Sequence, residues 1–271
     1  MRGTATTTWP ANESGGILLS HATGFCKEVW TPVAEELHEL SCDLPILAWD
    51  YYCHGASDGL PHPIDWWQFG RQAHDVAATT TRPRIGVGHS MGAAALAMAE
   101  VLQPGMFDLL ILVEPIIFPP PYRRRSANPM SEVAIRRRDR FDTRREAYDN
   151  YVEKPAFADW DERALAGYVD GGLVSDGDGL VMSCRPDDEA EIFAAAYAHD
   201  LYDRLPEISC PAVLLMGETS TTHTRGATAD LARRMGGPAR WEEFDGASHF
   251  LPMEQPLRLA ALVVSEVTKL G

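Results

Sequence analysis

Arg84-Ile85-Gly86-Val87-Gly88-His89-Ser90-Met91-Gly92-Ala93-Ala94-Ala95-Leu96 is the stretch on which the fold turns. Arg84–Gly88 reads as a short buried strand, and Met91–Leu102 as a helix rich in alanine. Between them, residues 88–92 spell G-x-S-x-G. A sharp strand-to-helix turn at that point forces the serine into a strained backbone conformation, and small residues two places on either side let strand and helix approach without clashing. The helix N-terminus also aims free N–H groups and a positive dipole end at the serine, which favours a developing oxyanion. Serine is equally a favoured helix N-cap, and the turn alone does not separate the two roles.

Working outward, short apolar runs alternate with amphipathic helical patterns. Ile17–Ser20 is a buried strand ending in His21-Ala22-Thr23-Gly24, and Thr31-Pro32 opens a helix with Val33, Leu37 and Leu40 on one face. Pro45–Trp49 is the next strand and Trp66–Ala78 the next helix, whose Trp66, Trp67 and Phe69 read first as core. Leu109–Val113 is a strand stopped at Glu114-Pro115, because proline cannot donate to a ladder. From Pro119 to Leu205 charges dominate, strand-like runs are nearly absent, and Gly171-Gly172 and Asp176–Gly179 break the helical periodicity. The alternation resumes with a strand at Ala212–Met216, a helix near Thr228–Met235, a strand around Trp241–Phe244 and a final helix over Pro256–Leu270. The expected class is therefore α/β, a mainly parallel central sheet flanked by helices. Residues 1–118 and 206–271 form the expected core. Residues 119–205 are expected to be a mostly helical insertion over the strand ends, where the sites of open α/β sheets lie.

The bulk chemistry narrows the function. A formal net charge of −15 over 271 residues argues against nucleic acid as the partner. The nine arginines between Arg123 and Arg145, against Glu132, Asp139 and Asp142, read first as a solvated face rather than an anion site. Cys26, Cys42, Cys53, Cys184 and Cys210 have wide, irregular spacing with no zinc-ligand pattern, so no metal is expected and the thiols suit a reducing, cytoplasmic setting. No phosphate-binding glycine loop or dinucleotide fingerprint is present, so no cofactor is expected. The residues before Ile17 lack the apolar run of a secretory signal, and no apolar stretch nears the ~20 residues that span a bilayer, which argues against stable membrane insertion. Self-association is compatible with this reading.

Three further stretches flank the serine turn in order. His21–Phe25 (HATGF) resembles an HGxx-type oxyanion turn, with Ala22 in place of glycine. Asp50–Asp58 (DYYCHGASD) looks like a D-x-R-G-H-G-x-S-D loop, with Tyr52 and Cys53 departing from it. Phe244–Phe250 (FDGASHF) resembles the strand and loop that deliver a catalytic histidine. Together the four resemble the α/β-hydrolase superfamily over nearly the whole chain. The N-terminal antiparallel hairpin of that superfamily has only about sixteen residues to occupy, so one or both strands are expected to be short or missing.

The resemblance implies Ser90 as nucleophile, His249 as its base, and the backbone N–H groups of Met91 and Thr23 as the oxyanion hole. The superfamily's usual acid position, three residues past Gly217, holds Ser220, which cannot supply charge. Glu114, at the end of the preceding strand, is the preferred acid and Glu218 the second choice; a solvent-facing Glu114 is the plain alternative. His21 and His54 read as loop organisers, and His89 as packing or bonding locally. The implied activity is cofactor-independent hydrolysis of a small or medium acyl substrate: an ester, thioester or lactone. A non-catalytic small-molecule receptor on the same fold, or a carbon–carbon hydrolase or lyase with the same triad, are the alternatives.

Overall fold

A computed structural model describes residues 3–125 and 128–270. The first half of the chain runs β1 (Thr6–Trp9), β2 (Gly16–Ser20), α1 (Thr31–Glu39), β3 (Ile46–Trp49), α2 (Trp67–Ala77), β4 (Arg84–His89), α3 (Met91–Leu102) and β5 (Leu109–Val113). After the insertion come β9 (Ala212–Gly217), α9 (Arg225–Arg234), β10 (Ala239–Phe244), α10 (Leu251–Glu254) and α11 (Pro256–Thr268). The insertion itself holds α4 (Pro129–Arg136), β6 (Arg140–Phe141), α5 (Arg144–Val152), α6 (Glu162–Gly172), β7 (Leu173–Asp176), β8 (Gly179–Met182), α7 (Pro186–Ala195) and α8 (Leu201–Arg204).

Seven strands form the central sheet in the order β1-β3-β2-β4-β5-β9-β10. All neighbours are parallel except β1, which pairs antiparallel with β3 from Thr6↔Trp49 to Trp9↔Ile46. The β-branched run Thr6-Thr7-Thr8 before Trp9 suits such an edge, and it supplies one antiparallel strand where the sequence left the opening of the fold in doubt. β2, β5 and β9 are buried along their whole length, as expected of strands covered on both faces. One apolar cluster on the α1–α11 side gathers Ile17, Leu19, Val33, Leu37, Ile46 and Val263; the other, on the α2–α3 side, gathers Leu18, Phe69, Leu96, Met98 and Leu110.

The insertion departs from its expected form. Besides helices it carries a three-stranded antiparallel sheet, β6-β8-β7. Asp176–Gly179, taken as a break in helical periodicity, is the tip of the β7–β8 hairpin: Asp176 pairs with Gly179, and Gly177 sits at φ +63. A two-residue Gly-Asp loop between Leu173-Val174 and Leu180-Val181 is a hairpin signal, which the surrounding helical periodicity hid. The insertion packs closely on the core. The Trp66 indole donates to the Ile192 carbonyl at 2.9 Å, and a Cβ on Gly167 of α6 would lie 2.3 Å from the Glu28 carbonyl oxygen.

Candidate active site

Ser90 sits between β4 and α3 at φ 57, ψ −114, a conformation that costs a non-glycine residue about 1–3 kcal/mol. Close approach makes the turn tight. A Cβ on Gly88 would lie 2.6 Å from Ala93 Cα, and one on Gly92 would lie 2.3 Å from the Ser20 carbonyl oxygen, so both positions need glycine. The Ser90 amide donates to the Val113 carbonyl at 2.8 Å, tying the turn to the end of β5. The Ser90 side chain makes no capping bond to α3, which leaves its hydroxyl without the helix-capping role that the sequence also allowed. The Met91 N–H opens α3 and has no acceptor within the helix.

Glu114 follows β5 with its backbone at φ +50 and its side chain wholly buried. One carboxylate oxygen, Oε1, accepts from the Gly217 amide at 2.9 Å. The other, Oε2, accepts from the Ser220 hydroxyl at 2.8 Å and faces His249 Nδ1 at 3.1 Å. Burial alone would push this carboxyl up. The His249 hydrogen bond and charge, the nearby His223 and the Gly217 amide outweigh it, and hold Glu114 below its ordinary value. Glu114 is thus no solvent-facing strand end. Glu218, the second choice for an acid, accepts from the Gly246 amide at 2.8 Å and shapes the turn after β10.

His249 rides on the loop between β10 and α10. Thr219 binds the Ala247 carbonyl through both its amide and its hydroxyl, each at 2.9 Å, and the Ser248 amide donates to Glu254 at 2.7 Å. His89 completes the hold: its Nε2 donates to the His249 carbonyl at 2.8 Å, and the two rings lie 4.9 Å apart. The contact joins residues 160 apart rather than the local neighbours expected of His89. Burial and the neighbouring His249 depress the His89 imidazole well below its ordinary value, so it stays a neutral donor. Ser90, His249 and Thr23 line one cavity of about 150 Å3 between the strand ends and the insertion.

The remaining motif residues shape the loops around it. His21 Nε2 accepts from the Tyr51 amide at 3.0 Å, and His54 Nε2 accepts from the Gly24 amide at 2.9 Å, which couples the HATGF turn to the DYYCHGASD loop. Buried Asp50 accepts from the Lys27 amide and ammonium, both at 2.8 Å, and from the Ala56 amide at 2.9 Å. Sequence reasoning missed Ser220 and His89 as parts of the site. The only written signal for Ser220 was a hydroxyl standing where a carboxylate was sought, and His89 carried none. Among the described residues no group of three or more His, Cys, Asp or Glu side chains could hold a metal ion, and no helix is long and apolar enough to cross a membrane.

Comparison with known proteins agrees with this architecture. The abhydrolase domain-containing protein AKT2 of Alternaria alternata is 25% identical over 223 residues, covering 69% of this chain and 84% of that protein. The thioesterase domain from the curacin biosynthetic pathway superposes with a TM-score of 0.80 at 19% identity, covering 97% of this chain and 95% of that one. The E-2-(acetamidomethylene)succinate hydrolase superposes with a TM-score of 0.81 at 16% identity, covering 99% and 100%. Residues 17–262 match the alpha/beta hydrolase family as a whole, and the chain belongs to that family.

Proposed function

We propose that the protein is a cofactor-independent serine hydrolase of carboxylic esters, thioesters or lactones, with Ser90 as nucleophile, His249 as general base and Glu114 as the acid of the triad. The carrying observation is the 3.1 Å contact from Glu114 Oε2 to His249 Nδ1, on an imidazole that shares a cavity with Ser90. A carboxylate at Nδ1 fixes the tautomer that leaves Nε2 free to accept the Ser90 proton, and stabilises the imidazolium that results.

The Ser90 oxygen then bonds to the substrate carbonyl carbon while its proton passes to His249. Negative charge collects on the carbonyl oxygen, toward the N–H groups of Met91 and Thr23; each such donor is worth about 3–4 kcal/mol. His249 returns the proton to the leaving alcohol, thiol or ring oxygen as that bond breaks. Water repeats the sequence on the acyl-enzyme and releases the acid. The segment 119–205 acts as a cap over this chamber. The receptor alternative drew on the missing charge at position 220, and the Glu114 contact removes that reason.

A fluorophosphonate probe tests the reading. It should label Ser90 in the wild-type protein and fail to label Ser90→Ala; a folded wild-type protein that takes no label would defeat it.

A further inference from the structure

We infer that the acyl group cleaved at Ser90 is short, apolar and uncharged: about four to six carbons, or a single aromatic ring. The inference rests on the serine-hydrolase reading and adds the substrate class to it.

Size comes from the chamber. Its 150 Å3 matches an engineered apolar protein cavity that takes up benzene, so a butanoyl, hexanoyl or benzoyl group is held within it, whereas most of a dodecanoyl chain would have to lie outside. Trp66, Ile116, Phe118, Phe193, Ala196 and Tyr197 give the chamber an aromatic and aliphatic wall, on which burying each methylene stabilises the complex by about 0.8 kcal/mol.

Charge is disfavoured because the wall carries no cation among the described residues and most of its polar groups are already committed. The Thr23 hydroxyl faces the Met91 sulfur at 3.3 Å. Asn128 donates to the Phe193 carbonyl at 2.9 Å and accepts from the Met130 amide at 3.0 Å. His249 is the one titratable side chain on the wall besides the Tyr197 phenol among the described residues, and its Nδ1 is held by Glu114. Two nearby arginines are spent elsewhere: Arg124 on Glu191 at 2.5 Å, and Arg137 on Glu189 at 3.0 Å. Arg125 lies 3.8 Å from the centre of the Tyr197 ring, and Phe118 stacks on the same ring at 4.4 Å and 10°. Two such close face contacts must use opposite faces, so the ring screens the chamber from the exposed guanidinium. A carboxylate on the acyl chain would enter with no lysine or arginine among the described wall residues to pair it, at a cost of several kcal/mol.

The test measures kcat/KM for p-nitrophenyl acetate, butanoate, hexanoate, benzoate, dodecanoate and hydrogen succinate, alongside fluorophosphonate labelling of Ser90. The expected profile peaks at butanoate to hexanoate, with dodecanoate and hydrogen succinate at least about tenfold lower. Ala196→Leu, which adds bulk to the buried wall, should lower the hexanoate-to-acetate ratio about tenfold. The wild-type series stands without that variant should it fold poorly. Labelled Ser90 with dodecanoate or hydrogen succinate cleaved as well as hexanoate overturns the size-and-charge inference and leaves the serine chemistry standing. No label and no turnover of any ester overturns both.

Discussion

At the scale of single residues, the carboxylate facing His249 was within reach of the sequence and its supports were not. Glu114 stands out in the text because a buried strand stops at Glu-Pro and because position 220 offers no acid. Its φ of +50, the Gly217 amide and the Ser220 hydroxyl come from packing β5 beside β9, a pairing between segments about a hundred residues apart. Glu114→Gln should leave a folded protein with kcat down about 10⁴-fold, the size of effect seen when a triad acid is neutralised elsewhere. Glu218→Gln keeps an acceptor for the Gly246 amide and should stay within about threefold, a change below ~1 kcal/mol. Steady-state kinetics on both variants checks the assignment, and the opposite pattern would reverse it. Stability carries the same signature. A carboxyl held below its ordinary value of 4.5 in the folded state contributes fully above that pH, and its contribution drains away as pH falls through the depressed folded value. The melting temperature of Glu114→Gln should therefore lie below wild type at pH 6, with the gap closing as pH drops beneath about 4.5. A gap that widens toward acid would contradict the observed hydrogen bonding.

At the scale of elements, periodicity located the strands and helices of the core and erred chiefly at their ends. The helix expected over Trp66–Ala78 runs Trp67–Ala77, and the strand expected around Trp241–Phe244 begins at Ala239. Ends are settled by caps and neighbours, which a repeat of apolar residues does not encode. The β7–β8 hairpin was hidden for a related reason: its strands are four residues each, too short to show a period of two against the helices around them. The serine turn was readable because sterics demand glycine there, and that demand gives a prediction. In Gly92→Ala the new methyl would meet the carbonyl oxygens of Ser20 and His21 at 2.3 and 2.5 Å, both backbone atoms at the root of the HATGF turn. The variant should lose about 1–3 kcal/mol of stability. Fluorophosphonate labelling of Ser90 should also slow, because relief of the clash moves the Thr23 amide. Wild-type melting together with wild-type labelling would show that the turn has slack.

At the scale of the whole molecule, the arginine-rich stretch and the net charge of −15 resolve into one arrangement. Arg124, Arg137, Arg138, Arg140, Arg144 and Arg145 each face a carboxylate, so most of the positive run is balanced on the insertion itself. The Arg137–Glu189 pair is largely buried; the other pairs are exposed, contribute little each, roughly 0–1 kcal/mol, and do not account for how firmly the insertion sits on the core. Close packing does. α6 lies against the turn at residues 27–30, with Gly167 set against the Glu28 backbone. Cys26 Sγ donates to the Gly167 carbonyl at 3.5 Å, and Tyr168 meets Phe25 edge-on at 5.6 Å. Phe25 is the last residue of the HATGF turn, so α6 packs against the end of the turn that carries the Thr23 amide. Gly167→Ala puts a methyl 2.3 Å from the Glu28 carbonyl oxygen, which only a shift of α6 can relieve. Overpacking of this size should cost about 1–3 kcal/mol, and at this chain length each kcal/mol lowers the melting temperature by about 2–4 °C. Because the displaced helix carries the Phe25 contact with it, kcat on the best ester should fall about tenfold, a loss of ~1.4 kcal/mol of transition-state stabilisation. Calorimetry and steady-state kinetics on the one variant separate the outcomes. A lowered melting temperature with unchanged kcat would mean that the insertion only roofs the chamber, and that the HATGF turn is held by the core alone.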